Sequence, residues 1–442
     1  MEVEEKKNLS EEEKTMLLRS KQRYEILDGL RGVASFIVII FHFFELYSFG
    51  NPSKQIINHG YLAVDFFYVL SGFVIGYAYD DRWDRMSLWD FYKRRLIRLH
   101  PMVIAGSILG MCYYFLGESV NSPNIESVKP YYFFLTIIMN FLMIPCPVEM
   151  DIRGWGESNP FNGPNWTLSY EYLINILYSL IIRRLHTIII GIICLISSLL
   201  VLNLTLNFDI FNVMQEREST KYTVIGGWAL TSCELCVGFT RLFYPFFSGY
   251  LVYRLNLKIR IPYSFIICSL MLIIFLCGPR VGGEEYPILN GVYEALVIII
   301  IFPSIIIIGA GDKTKNEVII KICKFIGELS YPIYITHYPI IYANSAWTSF
   351  HMDDSLFNKI MISIGSICIM IFNAYSLVEL YDKPMRKWLV NKFLKKKIKK
   401  EENENENKMN YNRINDSVAD NEDENKNIVL KENEEDMKNN EK

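Results

Sequence analysis

Charge in this chain is pushed to its two ends. Residues 1–25 hold 6 basic and 7 acidic side chains, and residues 383–442 hold 15 and 14. The 357 residues between them keep only 51 charges. A soluble core of that size needs far more charged surface. The middle of the chain is therefore predicted to lie in a bilayer, which excludes a soluble enzyme with an accessory anchor. The net charge of −3 points to no partner. No broad basic face with interleaved aromatics is present, so nucleic acid is excluded as a ligand. The nine cysteines are scattered, most of them in apolar runs. Cys233 and Cys236 form a CxxC; without a second pair they read as small packed side chains, and no metal site is predicted. No cleavable leader is visible. The first apolar run starts near Gly32 behind a charged segment and reads as a retained signal anchor.

A crossing helix needs about 20 apolar residues to traverse roughly 30 Å. Eleven runs qualify or nearly do: 32–49, 61–80, 101–117, 131–147, 167–182, 187–206, 228–253, 262–277, 289–309, 326–347 and 359–381. Lys and Arg in short loops set orientation. Segment 82–98 is basic, as are Arg183 and Arg184, the stretch Arg254 to Arg260, and 310–325. Loops 51–60, 118–130, 207–220 and 278–288 are poorer in positive charge. All basic loops and both termini are thus predicted to be cytosolic. Two cytosolic ends require an even number of crossings, so one of the eleven must fail to cross. The chosen one is 131–147, short and closed by Pro145-Cys146-Pro147. Irregular backbone at membrane depth survives only against protein or a watery cavity, so 131–166 is expected to border one. The fold class is all-α and polytopic: about ten transmembrane helices plus one re-entrant or partial helix. Its parts are a cytosolic segment (1–25), a transmembrane domain (26–390) and a disordered charged tail (391–442), whose Asn, Glu and Lys leave too little to bury. No fixed-period repeat is present, which weakens an inverted-repeat transporter reading.

Ionisable groups in a bilayer are costly and tend to mark function. The first span carries Asp28, Arg31, Ser35 and His42 on one helical face. Arg31 sits at the cytosolic mouth and His42 about ten residues deeper, roughly 15 Å along the axis. A single interhelical hydrogen bond would also account for His42, but here the ring ends a polar track. In the second span Asp65, Tyr68 and Gly72 share a face, and Asp65 is expected to meet His42, fixing its tautomer; a helix-pair salt bridge is the plainer alternative. Arg95 and Arg98, at i and i+3 before Pro101, suit phosphates, or simply hold a loop at anionic lipid. Glu171, with Asn175 at i+4, opens the fifth span and would serve equally as a helix cap. The sequon Asn165-Trp166-Thr167 hugs the membrane and is discounted as a glycosylation site. Ser330, Tyr334 and His337 follow i, i+4, i+7 on the tenth span, and Tyr334 is too deep for an interfacial belt.

Taken in order, these elements resemble the acyltransferase 3 family of multi-span membrane O-acyltransferases, over about residues 24–390. Leu27–Gly32 with His42 matches the family opening, and Val64–Phe73 its second element. Arg95 and Arg98 before Pro101 match the paired-arginine element. Trp166 to Glu171 matches the Trp-Ser-Leu-x-x-Glu element, with Thr167 in place of serine. Arg241, Phe246 and Gly249 fit the middle segment, Ser330-Tyr331 through His337 the late one, and Asp382-Lys383-Pro384 the close, with Asp where Glu is usual. The resemblance implies acyl transfer from cytosolic acyl-CoA, often acetyl-CoA, to a hydroxyl of a carbohydrate or lipid-linked acceptor. No bound cofactor is implied; acyl-CoA is a co-substrate. Arg95 and Arg98, with Arg31, would hold the CoA phosphates. His42 would be the general base, with Asp65 or Glu171 orienting it. Ser35, Trp166, Ser330, Tyr334 and His337 would line the acceptor side or steady the oxyanion. A covalent acyl-enzyme on Ser or Tyr is a second route. The competing function is a multi-span transporter that uses His42 and Asp65 as a proton relay; the Arg95/Arg98 pair discriminates, because a relay has no need of it.

Overall fold

A computed structural model describes residues 23–395, apart from positions 216, 313 and 315. The charged tail and most of the N-terminal segment lie outside the described residues. Among those residues there is no β-strand, and every one of the eleven apolar runs is helical. The chain divides into two units, Met1–Lys383 and Pro384–Lys442. In the first, α1 is Glu25–Tyr47, α2 Ala63–Tyr79, α3 Leu88–Cys112, α4 Pro130–Phe141, α5 Asn165–Leu180, α6 Thr187–Thr205 and α7 Ser232–Arg254. Next come α8 (Ser264–Cys277), α9 (Ile288–Leu296), which passes through a π turn into α10 (Phe302–Gly311), then α11 (Glu317–Thr336), α12 (Tyr338–Phe350) and α13 (Leu356–Leu377).

Among the described residues, seven helices are long and apolar enough to cross a membrane unaided: α1, α2 with its 3-10 extensions, α3, α6, α7, the α9–α10 pair and the one that begins at Leu356. The expected count of ten therefore depends on shorter or interrupted helices. Segment 131–147 supplies only the 12 residues of α4 before the chain becomes irregular, and α8 has 14. The tenth run is two helices that meet at His337. Pro339 lacks the N–H that would bond Ile335, and the freed Ile335 carbonyl accepts from Asn162 Nδ2 at 2.8 Å. The basic segment 82–98 is not a loop. Ser87 and Asp90 form a capping box, so α3 starts at Leu88 and carries Arg95 and Arg98 in its second and third turns.

Glycine decides how closely the central helices approach. A Cβ on Gly72 would stand 2.0 Å from the Phe246 carbonyl oxygen, and one on Gly249 1.8 Å from that of Val69. α2 and α7 thus touch backbone to backbone. The α1–α11 seam is built the same way: a Cβ on Gly32 would meet Ile326 O at 2.7 Å, and one on Gly327 would meet Asp28 O at 2.8 Å. Such contacts replace the hydrophobic drive that is missing between helices in lipid. The peripheral helices point the other way. α6 leaves Ile188, Ile192, Leu195 and Leu199 exposed, and α13 leaves Met361, Ile364 and Phe372 exposed, faces suited to acyl chains.

Candidate active site

Two glycine-tight seams bring polar side chains together at opposite ends of α1. Near its start, Arg31 donates from Nε to Ser330 Oγ at 2.7 Å and from Nη2 to Gly327 O at 2.9 Å, with Asp28 at 3.6 Å. Arg95 lies buried on α3 and is paired with Glu171 of α5, whose carboxylate also accepts from Ser71 Oγ at 2.9 Å. Arg98 is exposed and close enough to Arg31 and Arg95 for both to oppose its charge. Such a concentration of guanidinium invites a polyanion.

Eleven residues along α1, about 16 Å by helical rise, stands His42. Its Nδ1 is 2.7 Å from Glu45 Oε2. A carboxylate only accepts, so Nδ1 carries the hydrogen; in the neutral ring that leaves the lone pair to Nε2. The ring stacks on His337 at 5.3 Å between centroids and meets Tyr338 edge-on at 5.0 Å. His337 lies 3.1 Å through Nδ1 from Ile333 O, which fixes the same tautomer, and its buried Nε2 has no partner.

His42 and Glu45 face a cavity of about 560 Å³. Trp166 and Tyr334 line it from the helices, and Trp155, Glu157, Ile225 and Trp228 from the connections. Its rim includes Phe49 and Gly50, both exposed. The connection after α4 thus borders a cavity, as its irregular backbone requires. Glu157, in that connection, accepts from Tyr342 Oη, and burial pushes its carboxyl up to about 8. Arg153 packs its guanidinium 3.7 Å from the Tyr342 ring centre, and the Tyr334 hydroxyl is 2.9 Å from Thr167 Oγ1.

Several expected contacts are absent. Asp65 does not meet His42: Arg241 Nη2 of α7 is 2.8 Å from its Oδ2, a pairing allowed by the tight α2–α7 seam, and a further bond is donated by Arg241 to Tyr61 O at 2.7 Å. Burying a carboxylate without a cation would be far costlier than burying this pair. Glu171 is likewise on Arg95, not His42. Ser330 belongs to the Arg31 end. The Ser35 hydroxyl donates to Arg31 O of its own helix at 2.9 Å and is spent there. Trp166, Tyr334 and His337 do gather around His42. Sequence reasoning missed Glu45, although it stands at i+3 from His42 on the same face. It also missed Trp155, Glu157 and Tyr338; the first two sit in irregular backbone, where no periodicity marks a direction.

The model of the acyltransferase domain family matches residues 24–379. The chain is 28% identical to "Protein 2 in picA locus" of Rhizobium radiobacter over 165 residues, which is 36% of this chain and 82% of that protein. It is 37% identical over 81 residues to the O-acetyltransferase OatA of Staphylococcus aureus (strain NCTC 8325 / PS 47), covering 18% of this chain and 12% of that one. No solved structure matches.

Proposed function

The chain belongs to the acyltransferase 3 family of multi-span membrane acyltransferases, and from that premise we propose that it moves an acyl group, acetyl by preference, from cytosolic acyl-CoA to a hydroxyl on an acceptor bound in the cavity beside His42. One observation carries the reading. The imidazole whose Nδ1 is held by Glu45 lines a cavity, on the same helix that contributes Arg31 to the guanidinium cluster.

The donor enters at the arginine end, where Arg98, Arg31 and Arg95 hold its phosphates, and its acyl arm reaches the roughly 16 Å toward His42. Glu171 keeps Arg95 in place. The acceptor comes from the opposite side. His42 Nε2 takes the hydroxyl proton as oxygen attacks the thioester carbon. The C–S bond then breaks and the imidazolium returns the proton to the thiolate. Glu45 holds the ring and offsets its positive charge during the step. Asp65 acts at one remove, fixing Arg241, whose guanidinium lies 5.5 Å from the Trp166 ring centre. Tyr334, His337 and Trp166 shape the acceptor side; Ser35 and Ser330 are spent on Arg31 or its helix and serve it structurally. The membrane protein is oriented with basic loops and both termini in the cytosol. The transporter reading loses its relay, since Asp65 is held by Arg241 and not by His42.

The test uses purified protein in nanodiscs with labelled acetyl-CoA. His42→Ala is expected to lower acyl transfer at least a hundredfold while acetyl-CoA binding persists. A folded wild-type preparation that neither binds nor turns over acetyl-CoA would refute the reading.

A further inference from the structure

Attack on a thioester turns its carbonyl oxygen into an oxyanion, which needs hydrogen-bond donors. Those that span order suggests are spent. Ser330 Oγ donates to Gly327 O at 2.9 Å. Thr167 Oγ1 gives its one hydrogen to Pro164 O at 2.8 Å, so the Tyr334 hydroxyl donates to Thr167. His337 gives Nδ1–H to Ile333 O and keeps only a lone pair at Nε2. Tyr338 differs. It lines the cavity, its ring meets His42 edge-on, and its hydroxyl bonds to nothing among the described residues. Trp166 and Trp228 also line the cavity, but the ring packed on His42 is that of Tyr338. Glu157 stands beside it. A Cβ built on Gly163 would lie 2.6 Å from Glu157 Oε1 and 2.7 Å from Tyr338 Cε1, so a glycine lets the two meet. The Tyr342 hydroxyl accepts from Gly163 N at 3.1 Å and gives its own hydrogen to Glu157 Oε2. The carboxyl is 7% exposed, and among the described residues no cation bonds to it; Arg153 stops at the Tyr342 ring. A carboxyl enclosed without a counter-ion is held neutral. Its proton then sits on Oε1, on the Tyr338 side.

We propose that Tyr338 Oη–H and Glu157 Oε1–H are the two donors that hold the oxyanion while His42 takes the acceptor's proton. The inference rests on acyl transfer at His42 and deepens it. As the attacking oxygen bonds to the thioester carbon, the C=O π pair moves to oxygen, which accepts from both groups. When that pair returns, the C–S bond breaks and the thiolate takes the proton that His42 removed. Tyr338 and Glu157 keep their own hydrogens throughout. An ionised Glu157 would repel the oxyanion instead. Arg153 and the Tyr342 hydrogen bond favour that form; burial, Asp151 and Glu45 oppose it, and Tyr338 is the other titratable neighbour. The carboxyl is pushed up to about 8, which sets an alkaline limit on the reaction.

The experiment follows CoA release from acetyl-CoA by the intact protein in nanodiscs between pH 6 and pH 9. Glycerol is the acceptor, and water serves as well, because either attack forms the same oxyanion. Size-exclusion chromatography at each pH checks that the protein stays folded. Wild-type kcat is expected to fall through a midpoint near 8. Glu157→Gln keeps an N–H donor but cannot ionise, so whatever its rate the alkaline fall is expected to vanish. Glu157→Leu has no donor and is expected to be at least about tenfold slower than Glu157→Gln at pH 7. Tyr338→Phe keeps the ring and is expected to lower kcat at least about tenfold, with the KM for acetyl-CoA unchanged. A merely structural tyrosine would not split kcat from KM in this way. A flat wild-type profile, an alkaline fall that survives in Glu157→Gln, or a wild-type kcat in Tyr338→Phe overturns the inference and leaves the base role of His42 standing. Binding of acetyl-CoA without CoA release at any pH also overturns it, because a built oxyanion site should let water or glycerol attack. Neither binding nor release overturns the parent reading as well.

Discussion

Glu157 shows how one buried carboxyl can govern the cavity wall. Burial raises it from an ordinary 4.5 to about 8; the Tyr342 hydrogen bond and Arg153 pull it down, and Asp151 and Glu45 push it up. The folded chain therefore keeps a proton that the unfolded chain releases above 4.5. Stability is greatest below that pH and is lost as pH rises toward 8, by an amount of order a few kcal/mol. Glu157→Gln cannot ionise, so this slope should vanish. Thermal unfolding in nanodiscs at pH 6 and pH 9 is expected to show wild type falling relative to Glu157→Gln as pH rises. Parallel curves would mean that the carboxyl is solvated and its proton weakly held. None of this was legible in the sequence, because a glutamate in an irregular connection looks like any solvated one. His42 was legible because a titratable ring in an apolar helix has no cheap explanation. Its partner was misassigned: Asp65 was the nearest carboxylate by span order, while Glu45, one turn away, was the nearest by helical geometry.

At the scale of elements, the helices themselves followed from apolar length, and all eleven runs are helical. Where they touch did not, since hydropathy does not say which glycines face a neighbour. Gly72 and Gly249 do, against carbonyl oxygens that cannot swing away as a side chain can. Gly191, in α6, has open space where a Cβ would go. The same substitution should therefore have opposite signs at the two places. Gly72→Ala forces α2 from α7 and is expected to cost about 1–3 kcal/mol, weakening the Asp65–Arg241 pair with it. Gly191→Ala is expected to be neutral or to gain about 0.5–1 kcal/mol of helix propensity. Thermal aggregation followed by size-exclusion chromatography compares the two directly. Equal losses would refute the close-approach account. The start of α3 follows the same logic of local chemistry over hydropathy. The charges of 82–98 suggest a loop, yet a Ser87–Asp90 capping box is a stronger signal than the charge that follows it.

For the whole molecule, orientation follows from where the cations gather. Arg254 of α7 is 2.8 Å from Asp80, after α2, and 2.8 Å from the Arg183 carbonyl, after α5. These three basic connections thus share one end of the bundle, and the guanidinium cluster of Arg31, Arg95 and Arg98 lies toward it along α1 and α3. The cavity rim belongs to the connection after α1, around Phe49 and Gly50. Retention of positive charge on the cytosolic side then requires the arginine end to face the cytosol and the rim to face away. The proposed donor, acyl-CoA, is too polyanionic to cross the bilayer, so the proposed chemistry calls for the same polarity that the charge count gives. The two arguments are independent and one measurement tests both. Single cysteines at Ser53 and Asp84, both exposed, are placed in a background with the exposed Cys112 and Cys368 changed to serine. In sealed vesicles of known sidedness, a membrane-impermeant maleimide is expected to label Ser53→Cys from the non-cytosolic face alone and Asp84→Cys from the cytosolic face alone. The reverse pattern would place the arginines where no acyl-CoA exists and would undo the assignment of donor and acceptor ends together.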